Sequence, residues 1–141
     1  MKGQQAAELD HFCDCSFEKL QIKRASLVNL PACVRSMDLT SLKIENAPLV
    51  KLPDGILSLK RLEELSFKHT ALPFLPEEIN QLKSLRRLDL RGTEINSLPE
   101  GLDHLEKIDL RFTKINKSDQ KAIRNQYPQV KIFFSSPCNC K

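Results

Sequence analysis

What the chain lacks narrows it first. No stretch of its 141 residues approaches the ~20 consecutive apolar residues that a membrane-spanning helix needs, so no membrane span is expected. The opening residues, MKGQQAAELDHF, lack the apolar core of a secretory leader. The expected setting is therefore a reducing cytoplasm, or a host cell reached by a route the sequence does not display. Aromatic residues make up 6% of the chain and none is tryptophan, which leaves no row of rings on which nucleic-acid bases could stack. The length leaves nothing for a second globular domain once the 40% apolar content is folded into one core.

What is present is a period. Residues 85–102, LRRLDLRGTEINSLPEGL, place apolar side chains at Leu85, Leu88, Leu90, Ile95, Leu98 and Leu102, with Thr93 between and Pro99 after Leu98. The preceding copy starts at Leu62 and matches with Leu65, Phe67, Thr70, Leu72, Leu75, Pro76, Ile79 and Leu82. The one before starts at Leu39 and matches with Leu42, Ile44, Ala47, Leu49, Leu52, Pro53, Ile56 and Leu59. Both of these are 23 residues long. A weaker copy runs from Phe17 through Leu20, Ile22, Ala25, Leu27, Leu30 and Pro31. A later one starts at Leu105, 20 residues after Leu85, and a strand fragment with Val130 and Ile132 fits a sixth start at Tyr127. An amphipathic helix cannot hold two-residue and three-residue spacings inside a period of this length.

The pattern L-x-x-L-x-L followed by a turn and a Leu-Pro segment resembles the leucine-rich repeat family over residues 17–134. Its Leu-Pro-x-x-Ile/Leu half is similar to the short repeats of bacterial proteins, including secreted effectors of intracellular pathogens. The resemblance implies an α/β repeat fold, a right-handed solenoid. Its concave side is a parallel sheet of about six strands, and its convex side carries short irregular, 3₁₀ or helical segments. It also implies a binding protein with virulence-type functions within reach. Where the family usually has asparagine, this chain has Ala25, Ala47, Thr70, Thr93 and Thr113. A threonine hydroxyl can still bond nearby backbone, which would keep a reduced ladder in the C-terminal half.

A solenoid exposes raw apolar faces at both ends unless they are covered. Residues 1–16 are read as an N-terminal capping segment, residues 17–134 as the repeats with starts near 17, 39, 62, 85, 105 and 127, and residues 135–141 as a flexible tail. Ser118 is the candidate N-cap of a closing helix over 118–126, which Pro128 stops.

Five cysteines leave three readings open. Disulfide caps conflict with the odd count, the missing leader and the spacing. A metal could use Cys13, Cys15 and Cys33 with His11, although Cys-x-Cys is tighter than the usual ligand spacing. The favoured reading is reduced thiols, with Cys13 or Cys33 in the core and the tail pair Cys138 and Cys140 exposed. No cofactor is expected. Cys138 lies four from the end, but Asn139, Cys140 and Lys141 suit prenylation poorly.

The repeat sorts residues onto faces, because those alternating with the inner leucines must point to the concave surface. Three columns result: Lys19, Ser41, Glu64, Arg87, Lys107, Gln129; Gln21, Lys43, Ser66, Asp89, Asp109, Lys131; and Lys23, Glu45, Lys68, Arg91, Arg111, Phe133. Nine bases against four acids give this face +5, whereas the whole chain is +4. None of His11, His69 and His104 falls in these columns, so no nucleophile and base can be paired there and no enzyme is expected. Positive charge of this density also fits nucleic acid or another polyanion, the alternative reading. Glu45, Glu64, Asp89 and Asp109 within the same face favour a protein with a mixed surface instead. The candidate binding residues are Arg87, Asp89, Arg91, Asp109 and Arg111, with Lys68, His69, Phe112 and Phe133 at the margin. The expectation is a monomer that forms a complex with a different protein on its concave surface and there inhibits or regulates another effector or host protein.

Overall fold

The computed structural model describes residues 17–24, 30 and 32–136. Six strands, β1 (Lys19–Lys23), β2 (Ser41–Glu45), β3 (Glu64–Ser66), β4 (Arg87–Asp89), β5 (Lys107–Asp109) and β6 (Lys131–Phe133), form one open parallel sheet in sequential order. Each repeat therefore lies beside the next. The inner positions are apolar in every complete copy: Leu42, Ile44, Leu65, Phe67, Leu88, Leu90, Ile108 and Leu110 are all buried. Together with Leu39, Leu62, Leu85, Leu72, Ile95, Ile79 and Leu102 they make one continuous core behind the sheet. Truncating one such leucine to alanine costs about 2–5 kcal/mol through lost transfer energy and the cavity left behind.

On the convex side the Leu-Pro pattern yields 3₁₀ turns, at Ala32–Ser36, Ile56–Ser58 and Glu77–Gln81. Proline lacks the N–H that a longer α-helix would use, and the next strand follows too soon for more turns. The 20-residue copy has no helical segment between β4 and β5.

Just beyond the strands the backbone turns left-handed once per repeat, at Arg24, Asn46, His69, Gly92 and Phe112, with φ between 53° and 69°. The turn lets the N–H of each of these residues reach the next copy. Arg24 donates to the Glu45 carbonyl at 3.0 Å, Asn46 to Lys68 at 3.0 Å, His69 to Arg91 at 2.8 Å and Gly92 to Arg111 at 3.0 Å. At the last copy Phe112 donates instead to Ser135 Oγ at 2.7 Å, so a side chain ends the ladder. Position 92 is the one of these turn positions that holds glycine, and a Cβ there would lie 2.3 Å from His69 Nδ1.

The threonines do not link repeats. Thr70, Thr93 and Thr113 each donate their hydroxyl to the carbonyl three residues earlier, Phe67, Leu90 and Leu110, at 2.7–3.0 Å. This satisfies a polar atom inside the turn, and the reduced ladder expected from them is carried by backbone groups one residue away.

Two local expectations at the C-terminal end are corrected. The α-helix α1 spans Lys117–Gln126 and is capped by Asn116, not Ser118. Asn116 Oδ1 accepts the Asp119 N–H at 2.9 Å while its Nδ2 donates to the Asp119 carboxylate at 2.7 Å, a reciprocal cap that Ser118 could not form from inside the first turn. The sixth strand also pairs two residues later than a start at Tyr127 predicts, since Lys131 lies opposite Lys107 and Phe133 opposite Asp109. A helix advances only ~1.5 Å per residue, less than half the rise of extended chain, so crossing the convex side as helix uses more residues. Tyr127 is instead a buried strut that donates its hydroxyl to the Pro99 carbonyl at 2.6 Å. Burial raises its pKa above the ordinary tyrosine value.

Cys33 is half-buried and disulfide-bonded, which overturns the reduced-thiol reading at this position and removes Cys33 from the candidate thiolate ligands. The four other cysteines, at 13, 15, 138 and 140, lie outside the described residues, as do the capping segment 1–16, Ala25 and most of the tail. The odd count, the missing leader and the spacing, which weighed against disulfides, do not forbid a single bond among five cysteines.

Candidate functional site

Strand pairing fixes which outward side chains are neighbours. One row crosses the sheet as Lys19, Ser41, Glu64, Arg87, Lys107 and Lys131, and the next as Gln21, Lys43, Ser66, Asp89, Asp109 and Phe133. The register change moves Lys131 beside Lys107 and puts Phe133 beside Asp109, not in the arginine column. Lys107 and Lys131 are the residues the sequence columns failed to bring together. The usable signal was the apolar pair Ile132 and Phe134, which sets an inner face two residues after Val130.

Next to these rows the chain writes Asp-Leu-Arg twice, at 89–91 and 109–111, and the two copies lie side by side. In the first, Asp89 accepts the backbone N–H of Arg91 at 3.1 Å and its Nε and Nη2 at 3.0 and 2.7 Å. The second repeats this between Asp109 and Arg111 at 3.2, 3.0 and 2.7 Å. Arg91 Nε also reaches Asp109 at 3.5 Å and ties the copies together. Asp109 is only 4% exposed. Burial by itself pushes its pKa up, but the hydrogen bonds from Arg111 and the charges of Arg111 and Arg91 outweigh it and hold the carboxyl below its ordinary value. The pKa of Arg91 is raised mainly by its bond to Asp89, and that of Arg111 mainly by its bond to Asp109.

Elsewhere on the face Lys23 pairs with Glu45 at 3.9 Å and Lys43 with Glu64 at 3.0 Å. All four carboxylates of the face are thus occupied within the chain. Of its bases, Lys19, Lys68, Arg87, Lys107 and Lys131 have no ion-pair partner among the described residues. The +5 of the surface resides in these five, and three of them are adjacent on β4, β5 and β6. A hollow of about 200 Å³ runs between the row and the Asp-Arg pairs, lined by Glu64, Arg87, Asp89, Arg91, Lys107 and Asp109 among others. A wider polar hollow of about 650 Å³ adjoins it where the chain enters the strands, with Arg86, Arg87, Lys83 and Glu106 in its wall.

The aromatic candidates separate. Phe112 is 70% exposed on the left-handed turn beside Arg111. Phe133 is half-buried in the concave face, its ring centroid 4.8 Å from Lys107 Nζ, 5.8 Å from Lys131 Nζ and 6.0 Å from the Arg111 guanidinium carbon. Lys68 and His69 sit at the turn edge of the same face, two strands away. The described histidines stand apart: His69 overlies Gly92, and His104 Nε2 lies 3.0 Å from the Leu82 carbonyl. Among the described residues no group of three or more His, Cys, Asp and Glu is placed to hold a metal ion, and no helix is long and apolar enough to cross a membrane.

Comparison with known proteins places the scaffold. The leucine rich repeat family model matches residues 38–95. Among solved structures the chain is similar to a leucine-rich repeat protein of Leptospira interrogans, at 32% identity and TM-score 0.75. That match covers 83% of this chain but 31% of the Leptospira one, so this chain spans about a third of its length. The ectodomain of the receptor kinase SOBIR1 from Arabidopsis thaliana matches at 21% identity and TM-score 0.59, over 82% of this chain and 67% of that one. A chain of the Drosophila melanogaster SNF/U2A′ complex matches at 16% identity and TM-score 0.65, over 92% and 84%. No curated protein matches. With five aligned copies of the repeat, six parallel strands in one sheet and these neighbours, the chain belongs to the leucine-rich repeat family.

Proposed function

We propose that the protein binds a protein partner through the C-terminal half of its concave face, with Arg87, Asp89, Arg91, Asp109 and Arg111 at the centre and Lys68, His69, Phe112 and Phe133 around them. The observation that carries this is the pair of side-by-side Asp-Arg units, which hold charges of both signs in fixed positions beside an exposed ring. A preordered mixed surface loses little side-chain entropy on binding and discriminates by sign, as a partner with its own mixed surface requires. Phe112 is exposed and occupies a left-handed backbone conformation that costs a residue with a side chain of order 1–3 kcal/mol. The bond of its N–H to Ser135 Oγ holds that turn, so the ring is presented outward where a partner would cover it.

We infer further that binding acts by occlusion, the chain covering a site on another effector or host protein. The similarity to the Leptospira chain and the short Leu-Pro repeats support a bacterial effector reading. The bonded Cys33 favours an oxidising compartment at some stage over a permanently reducing cytoplasm.

The test compares proteins retained from lysate by the wild type, by Arg87→Ala/Phe112→Ala and by the control Lys51→Ala/Lys117→Ala, followed by affinity measurement with the purified partner. A partner kept by the control and weakened roughly tenfold or more by the first variant supports the reading. Equal retention by all three would remove the concave face from consideration. Retention of nucleic acid, with a steep loss of affinity in salt, would transfer the function to polyanion binding.

A further inference from the structure

We propose that the row Arg87, Lys107 and Lys131, with Phe133 beside it, is a docking site for an acidic helical segment of the partner, laid across strands β4–β6. The inference rests on the protein-binding reading and specifies what is bound and where. Arg91 and Arg111 are the more conspicuous bases in the sequence, but each is already neutralised by an aspartate at 2.7 Å. Arg87, Lys107 and Lys131 are exposed, consecutive across the sheet and without an ion-pair partner among the described residues. Like charges in register on neighbouring strands repel, and among the described residues no carboxylate pairs with them. Phe133 draws the ammonium groups of Lys107 and Lys131 over one ring, at 4.8 and 5.8 Å, which concentrates the charge further. The site is therefore anion-seeking with an apolar centre.

Spacing selects the ligand. Adjacent strands lie ~4.8 Å apart, so the three cations span ~9.6 Å. Carboxylates at i, i+3 or i+4, and i+7 of a helix span ~10.5 Å along its axis and match the row closely. In an extended chain, same-face residues recur every ~6.7 Å, so three of them span ~13 Å and fall out of step. An apolar side chain between the carboxylates would rest on Phe133.

The test is fluorescence anisotropy with a labelled alanine-based helical peptide carrying three glutamates at i, i+4 and i+7 with one leucine between them. Its control has the same composition with the glutamates spread around the helix, and a single-stranded oligonucleotide is a third probe. The one-face peptide is expected to bind the wild type roughly tenfold more tightly than the scattered one. Arg87→Gln/Lys107→Gln/Lys131→Gln should remove that preference, while Lys19→Gln/Lys23→Gln should retain it within about twofold. Circular dichroism melts confirm that each variant is folded. Equal binding of both peptides, or of the row variant and wild type, overturns the proposal, as does tighter binding of the oligonucleotide. If neither peptide binds while the captured partner still depends on Arg87 and Phe112, this inference fails and the protein-binding reading stands. If the partner is also insensitive to those residues, both fail.

Discussion

The two halves of the solenoid share a scaffold and differ in how their polar surface is held. In the N-terminal half each concave ion pair joins one lysine to one half-buried glutamate, as in exposed Lys23 with Glu45 at 3.9 Å, and the turn position holds an alanine at 47. In the C-terminal half one buried carboxylate, Asp109, is shared by two arginines, the turns carry threonines that bond their own backbone, and α1 with Tyr127 closes the end. A lone exposed pair contributes between nothing and about 1 kcal/mol, because it must order two long side chains in high dielectric. A buried carboxylate held by several donors is worth more, and it is worth most as geometry. The C-terminal half is accordingly the part able to present a fixed pattern of charge.

That contrast can be broken most severely at Tyr127. Tyr127→Ala should cost about 3–5 kcal/mol, since it empties a fully enclosed aromatic site and severs the bond to Pro99. Tyr127→Phe should cost about 1 kcal/mol, the hydroxyl's share. Denaturant melts distinguish the two, and equal effects would mean that the hydroxyl, not the ring, holds the end. The covalent counterpart is the Cys33 disulfide, whose reduction should cost about 2–4 kcal/mol. The comparison is the melting temperature with and without reductant, with Cys33→Ser as the reference that no longer responds. An unchanged midpoint would show that the bond adds nothing to the stability of the fold.

Asp109 comes next. Asp109→Asn should destabilise the fold by about 1.5–3 kcal/mol by weakening charge-assisted bonds to Arg111 and Arg91. Its folded pKa lies below the unfolded value of ~3.9, so the stabilisation is complete above that value and disappears as pH falls through the lower folded one. Melts from pH 6 to 2 should therefore show a steeper acid loss in wild type than in Asp109→Asn. Parallel curves would remove Asp109 from the linkage. The smallest effect belongs to the unpaired row: Arg87→Gln/Lys107→Gln/Lys131→Gln should change stability by no more than ~1 kcal/mol, because the repulsion removed is set against the ring contacts that Lys107 and Lys131 lose. A clear destabilisation would show that these cations support the fold and are not held for a ligand.

Much of this was legible beforehand for a definite reason. The inner leucines recur at fixed offsets, and alternation along a strand then assigns every neighbour to a face, so Arg87, Asp89, Arg91, Asp109 and Arg111 could be placed together without coordinates. The pairing of Asp89 with Arg91 was not legible. Residues two apart on one strand are normally too distant to bond, and it takes the turn after the strand to bring the guanidinium back. The acids that pair with Arg91 and Arg111 are thus supplied by the chain itself.

The sequence by itself determined the repeat, the family, the core and the net charge of the concave face, because all of these follow from residue type and spacing. Only the tertiary structure decided where the unpaired charge lies. The closing helix takes up chain at ~1.5 Å per residue where an irregular segment would be longer, and that difference slides the last strand by two residues. The slide sets Lys131 against Lys107 and Phe133 against Asp109, a register that the apolar pair Ile132 and Phe134 permits and the packed helix fixes.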